Sequence, residues 1–148
     1  MRRRDERRFK RIARLIKRRY RSPEDSRGER PTFQEFVKFL IDPRTKRPIN
    51  RHWMPFYKLC RPCKVHYDFI GHLETLNQDI SYVLKTIGFP DDKRFHIHKS
   101  RVNSSSLVGK QVATLSHDQL TKLTDIYRLD FLLFGYSTEL PSYTQLLV

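Results

Sequence analysis

Apolar side chains near the start of the chain recur at steps of three and four residues. They are Phe9, Ile12, Ala13, Ile16 and Tyr20. Because a helix turns once every 3.6 residues, this spacing places them on one stripe, and we predict an amphipathic helix over residues 1–21. Residues 22–31 contain only proline, glycine, serine and charged side chains, which predicts an exposed loop.

Two capping boxes predict the starts of further helices. The first begins at Thr32, and the helix it opens is predicted to end before Pro43. The second begins at Ser116, and its helix is predicted to end at Gly135. Asp130 lies within the apolar face of this last helix, and we expect it to pair with an arginine or lysine because a buried unpaired carboxylate is costly. Residues 137–148 are predicted to form a tail.

Between these helices the hydrophobic pattern changes its period. Val65, Tyr67 and Phe69 alternate with polar neighbours up to Gly71, which predicts a short half-buried strand. A face with helical spacing follows and predicts a helix that ends at Gly88. Its members are Leu73, Leu76, Ile80, Val83, Leu84 and Ile87. Residues 89–110 show no period and are predicted to be a long loop.

Charge is the strongest feature of the composition. The 148 residues carry a formal net charge of +14, and the first predicted helix alone holds twelve basic residues against two acidic ones. Such an excess predicts an anionic partner, which can be nucleic acid, a membrane surface or an acidic polysaccharide. The helix either packs on a core with a solvated charged face or acts as a binding arm. The sequence contains no apolar run long enough for a membrane anchor or a signal peptide.

Residues 44–61 mix cations with aromatic rings between prolines that forbid a long helix. Arginine forks bind carboxylates and sulfates bidentately, and rings cover sugar faces, so this segment is the candidate glycan-acceptor site. In the plainer interpretation Trp53 is a buried anchor and the charges are solvated. The candidate acceptor residues are Arg44, Lys46, Arg47, Arg51, His52 and Trp53.

The two cysteines of the chain, Cys60 and Cys63, are separated by two residues. Such a pair is typical of a zinc half-site or a redox couple. Zinc needs two more ligands, and a strand through His66 and on toward His72 does not space them for a tetrahedral site. We therefore predict no metal.

Several motifs together resemble the Golgi carbohydrate sulfotransferases that modify chondroitin, dermatan and related HNK-1-type glycans. They are Arg51-His-Trp-Met-Pro55, Cys60-Arg-Pro-Cys63, Tyr67-Asp-Phe-Ile-Gly71, and Tyr127-Arg-Leu-Asp-Phe-Leu-Leu-Phe-Gly-Tyr136. The resemblance implies an α/β class and the C-terminal part of a P-loop-like sulfotransferase fold, here mostly helical with one or two short strands. It also implies one partial domain over residues 1–148, with the family-like core at 32–136.

The resemblance implies an enzyme that moves a sulfuryl group from 3'-phosphoadenosine 5'-phosphosulfate to a sugar hydroxyl. The family's Gly-rich Lys-Thr or Lys-Ser loop and its Arg-Asp-Pro motif do not occur in this sequence. We therefore expect an incomplete chain that is inactive alone, taken from a protein held in the Golgi membrane with its domain on the lumenal side. The alternatives are a basic nucleic-acid-binding module and a non-catalytic glycan-binding protein.

The resemblance also assigns individual residues. By position, Lys99, Arg101 and Ser104 are candidate contacts to a cofactor phosphate. In the oxidising Golgi lumen, Cys60 and Cys63 are expected to form disulfides, with each other or with cysteines elsewhere. Asn103 begins an Asn-Ser-Ser triplet, an N-glycosylation acceptor pattern that matters in the secretory pathway.

Overall fold

The structure is a computed structural model, and it describes residues 2–24, 28–45, 50–90 and 104–138. Within these ranges all regular structure is helical. The helices are α1 (Arg2–Tyr20), α2 (Phe33–Ile41), α3 (Phe56–Cys60), α4 (Leu76–Thr86), α5 (Ser104–Val112) and α6 (His117–Leu133). None of these described helices combines the length and the apolar character that crossing a bilayer requires.

The core lies where α2 packs between α1 and α6. Ile16 of α1 and Val37 and Phe39 of α2 are the buried hydrophobic side chains of the described ranges. Ile16 belongs to the apolar stripe that predicted α1, so the basic helix does pack on a core. Its described arginines are exposed, namely Arg7, Arg8, Arg11, Arg14, Arg18 and Arg19. This hydrophobic core is small for a chain of this length.

A partly buried ion pair joins the end of α1 to the start of α2. The Arg21 guanidinium donates from Nε to Glu35 Oε1 over 2.7 Å and from Nη2 to Oε2 over 2.9 Å. It also donates to the carbonyl oxygens of Gly28 and Arg30, at 2.6 and 2.8 Å. Because this fork closes the loop between two helices, the last arginine of the basic run is a structural residue.

The local signals for helix ends are confirmed. Thr32 and Ser116 each accept a hydrogen bond from the backbone N–H three residues later, and the glutamate or glutamine at that position bonds back, so both capping boxes form. Gly88 and Gly135 adopt left-handed backbone conformations, with φ of 70° and 67°. Both glycines end helices where the sequence predicted it, because only glycine takes this conformation without a steric cost.

Two predictions about regular structure were wrong. Residues 65–70 are not a strand, and no strand occurs in any other described range. The reason is that a strand needs a neighbouring strand to pair with, and this one has none there. Of the predicted loop over residues 89–110, residues 104–110 belong to α5, although their hydrophobic spacing is weak, and residues 91–103 lie outside the described residues.

Candidate functional site

A short loop, residues 50–55, carries Trp53 and is held from within by Asn50. The Asn50 side chain is buried, and its Oδ1 accepts a hydrogen bond from His52 N at 3.1 Å. Its carbonyl oxygen accepts one from Trp53 N at 3.0 Å. From α6, the Tyr127 hydroxyl donates to the Trp53 carbonyl oxygen over 2.7 Å. The loop is therefore fixed both locally and by a helix that is distant in sequence.

Asp130 fixes the residues that follow this loop. Its buried carboxylate accepts the backbone N–H groups of Phe56 at 2.7 Å and Tyr57 at 2.8 Å, where α3 begins. Among the described residues Asp130 has no arginine or lysine partner, contrary to the prediction, and two N–H groups at the start of α3 stabilise the carboxylate instead. Burial, and then the Asp130 charge, raise the pKa of Tyr127, so its hydroxyl stays protonated and can donate.

Aromatic rings of α1 and α2 contact the Trp53 indole. The Phe36 ring meets it edge-on, with centroids 5.4 Å apart and planes at 80°. The Phe9 ring lies 6.2 Å from the indole and 5.1 Å from the His52 ring, measured between centroids. Edge-to-face contacts of this kind stabilise the ring positions beyond the area they bury. These contacts help to position the Trp53 ring at the cleft.

A cleft of about 490 Å³ opens beside Trp53, between α1, α2 and α6. Apolar side chains form most of its wall, together with the rings of Trp53 and Tyr127 and the buried Asn50. Arg8 and Arg11 of α1 complete the lining, and both are exposed. Its volume falls within the range typical of small-ligand sites, and its few polar groups converge on an apolar surface.

The structure separates the predicted acceptor residues. Trp53 lines the cleft, and His52 lies beside it on the exposed surface. Arg51 is exposed in the same loop. Arg44 donates to Asp42 over 2.9 Å from Nη2 and 3.0 Å from Nε, so its fork already binds a carboxylate of this chain. Two acceptor candidates lie outside the described residues, namely Lys46 and Arg47.

Asp42 is the centre of this second polar cluster. Besides Arg44, it accepts the hydroxyl of Tyr20 at 2.7 Å. Hydrogen bonds from Arg44 and then Tyr20 hold the pKa of Asp42 well below its usual range. Burial and the neighbouring carboxylate raise the pKa of Tyr20. The cluster fastens the end of α2 to the end of α1 and presents no unpaired cation to a ligand.

Sequence reasoning missed the two cations that do line the cleft. Arg8 and Arg11 were grouped with the solvated face of α1, whereas they flank Phe9 and Ile12 at the edge of the apolar stripe. Residues beside such a stripe lie at the rim of whatever the helix covers. Their position next to Phe9 and Ile12 was the available signal.

The remaining predicted residues are dispersed. Ser104 is the first residue of α5, while Lys99, Arg101 and Asn103 lie outside the described residues. Cys60 ends α3, and both it and Cys63 carry free thiols here, so their disulfide stays a prediction. The described ranges contain no group of three or more side chains arranged to bind a metal ion.

Most of the chain matches one protein-family model. The model described as the sulfotransferase family matches residues 2–137. The chain belongs to the sulfotransferase family. This confirms the resemblance drawn from the motifs, and it covers nearly all of the described residues.

Curated relatives of this sulfotransferase chain are carbohydrate sulfotransferases. Carbohydrate sulfotransferase 11 of Danio rerio is 43% identical over 117 residues, which cover 77% of this chain and 33% of the relative. The Rattus norvegicus protein of the same name is 40% identical, with 81% and 34% covered. Carbohydrate sulfotransferase 14 of Homo sapiens is 38% identical, with 80% and 31% covered. The chain therefore spans about a third of the length of these relatives. No solved structure matches it.

The fold shows what two of the sulfotransferase motifs do together. The Arg51–Pro55 motif contributes Trp53, and the Tyr127–Tyr136 motif contributes Tyr127 and Asp130. Although some 74 residues separate them, Tyr127 bonds to Trp53, and Asp130 bonds to the residues just after Pro55. The two motifs are therefore the two halves of one scaffold, which holds the indole at the cleft.

Proposed function

We propose that this chain serves in a carbohydrate sulfotransferase of the Golgi lumen, which sulfates a hydroxyl of a chondroitin- or dermatan-like glycan, and that the cleft beside Trp53 binds the acceptor. The observation that carries the proposal is the pairing of two rings, Trp53 and Tyr127, with two arginines, Arg8 and Arg11, in one cleft of the size of a ligand site. Family membership supplies the reaction class.

The cleft has the chemistry that an acidic sugar requires. A guanidinium fork binds a carboxylate or sulfate with two parallel hydrogen bonds, and it keeps its charge at every physiological pH. The apolar wall and the indole suit the less polar face of a sugar ring. Because the Asn50 carbonyl, the Tyr127 hydroxyl and the Phe36 ring already hold Trp53, little order needs to be gained when the acceptor binds.

The starts of three helices bear on where the cofactor phosphates could bind. Sulfotransferases take their sulfate from 3'-phosphoadenosine 5'-phosphosulfate. Helix starts commonly bind phosphates, but at α2, α3 and α6 side chains already accept some of the first N–H groups. Thr32, Asp130 and Ser116 respectively accept their N–H groups. A phosphate at these helix starts would compete with those side chains, and no cofactor contact is assigned to them. Lys99, Arg101 and Ser104 remain the candidate phosphate contacts.

Binding of a desulfated chondroitin oligosaccharide tests the acceptor site. Changing Arg8 and Arg11 together to glutamine removes two bidentate donors, and we expect the dissociation constant to rise roughly tenfold or more, which corresponds to about 1.4 kcal/mol. The matched control is Arg14→Gln with Arg18→Gln, which removes the same charge from exposed positions of the same helix outside the cleft. Isothermal titration calorimetry at two salt concentrations measures the dissociation constant of each double variant.

Comparing the two double variants distinguishes binding in the cleft from general attraction by the positive charge of α1. If both double variants weaken binding equally, the glycan responds to the net charge of α1 and not to the cleft. If duplex DNA binds more tightly than the glycan and its affinity falls steeply with salt, the result favours the nucleic-acid-binding alternative instead. Radiolabelled sulfate transfer by the purified chain is expected to stay at the level of a heat-killed control, because the cofactor motifs do not occur in these 148 residues.

A further inference from the structure

The outward side of α1 carries a row of arginines that begins at the cleft. Arg11, Arg14 and Arg18 follow one another at steps of three and four residues, so their side chains emerge along one line of the helix. All three are exposed. Arg11 also lines the cleft beside Trp53, and the other two lead from there toward the C-terminal end of α1. We call these three residues the arginine row.

The charge of the arginine row is not neutralised within the described part of the chain. Among the described residues, none of its members forms an ion pair with a carboxylate. Arg14 Nε donates to the carbonyl oxygen of Lys10 over 3.4 Å, which leaves its charge uncompensated. Other cations of this region do have acidic partners. Lys10 pairs with Glu6 at 3.0 Å, and Arg21 pairs with Glu35 at 2.7 Å.

The arginine row runs against the local preference of a helix. Like charges three or four residues apart destabilise a helix, and α1 contains two such pairs in succession, Arg11 with Arg14 and Arg14 with Arg18. Packing does not require these side chains, since all three are exposed. Departures from local preference are expected where function calls for them. An anion that bridges neighbouring members of the row would relieve the repulsion between them.

We propose that the arginine row binds the continuation of an acidic glycan chain whose acceptor end lies in the cleft beside Trp53. Between Arg11 and Arg18 the helix rises by about 10 Å, so a ligand that meets both must extend beyond a single sugar ring. Each guanidinium binds a carboxylate or sulfate through two parallel hydrogen bonds. A polysaccharide with an acidic group in every repeat presents such groups one after another. The inference rests on the proposed acceptor site and adds that the affinity depends on the length of the glycan.

A membrane surface and a nucleic acid fit the arginine row less well. A helix that lies on a membrane buries its apolar face in the lipid, whereas Ile16 on the apolar side of α1 is buried where α1 packs on α2. Single-stranded nucleic acid binds where rings for base stacking accompany the cations. The nearest ring of α1, that of Phe9, lies on the side of the helix opposite the row and contacts Trp53.

Binding measured against glycan length tests the proposal. The probes are desulfated chondroitin oligosaccharides from a tetrasaccharide, expected to occupy the cleft alone, to a dodecasaccharide. For the original chain we expect the dissociation constant to fall roughly tenfold or more between them, since a second contact to the same glycan is intramolecular. Arg14→Gln with Arg18→Gln should abolish this gain and leave tetrasaccharide binding within about twofold. The matched control, Lys85→Gln with Arg128→Gln, removes the same charge from exposed positions of α4 and α6 and should keep the gain.

Three results would overturn the proposal. The first is the same length dependence in the original chain and in the variant without Arg14 and Arg18. The second is an equal loss of the gain in both double variants, which would show a response to net charge alone. The third is tighter binding of duplex DNA or of phosphatidylserine vesicles than of the dodecasaccharide, lost in the same variant. The acceptor site fails separately, if Arg8→Gln with Arg11→Gln leaves tetrasaccharide binding unchanged.

Discussion

Replacing Asp130 by alanine should destabilise the chain more than any surface substitution. The carboxylate accepts the N–H groups of Phe56 and Tyr57 at 2.7 and 2.8 Å and is buried. Alanine leaves both N–H groups without an acceptor and also opens a small void under α3. The change therefore tests whether α6 holds the Trp53 loop in place.

The magnitude follows from the two hydrogen bonds. A hydrogen bond to a charged acceptor contributes about 1.5–3 kcal/mol to stability. The bond from Phe56 N–H is only partly buried, so water replaces part of what this group loses. We expect the free energy of unfolding to fall by roughly 3 kcal/mol in total. For a chain of this size, that lowers the midpoint of thermal unfolding by about 6–12 °C.

Urea unfolding followed by circular dichroism measures this loss, with two companion variants. Asp130→Asn keeps one acceptor oxygen and should lose about half as much. Asp125→Ala removes an equal charge from an exposed position of the same helix and should stay within about 0.5 kcal/mol of the original. If Asp130→Ala is no more destabilising than Asp125→Ala, the two hydrogen bonds do not hold α3 and the proposed scaffold is wrong.

Two further predictions concern Asp42 and the cysteines. Because hydrogen bonds from Arg44 and Tyr20 lower the pKa of Asp42, its contribution to stability is present above its unfolded pKa of about 4 and is lost as the pH falls toward the folded pKa. Urea midpoints of the original chain and of Asp42→Asn should therefore differ at pH 6 and converge toward pH 2, and parallel curves would contradict this. Expressed with a secretory signal, the chain should lose thiol reactivity at Cys60 and Cys63, as alkylation and mass spectrometry would show. Stoichiometric zinc bound by both thiolates would refute the disulfide.

Sequence alone determined the features that depend on neighbouring residues. The capping boxes at Thr32 and Ser116 were predicted and are confirmed, since donor and acceptor lie three residues apart. The same holds for the left-handed glycines that end α4 and α6. The motifs around Trp53 and Asp130 were also sufficient to identify the family, because they are continuous runs of sequence.

Tertiary structure decided every feature that needs a distant partner. Asp130 was expected to bind a cation, but the fold brings it two backbone N–H groups from more than 70 residues away. Arg8 and Arg11 look like solvated charges until α2 and α6 form the cleft beside them. Residues 65–70 have a strand pattern, yet a strand exists only when another strand pairs with it. Local hydrogen bonds can be read along the chain, whereas the partner of a buried carboxylate, a cleft arginine or a strand is set by packing between elements.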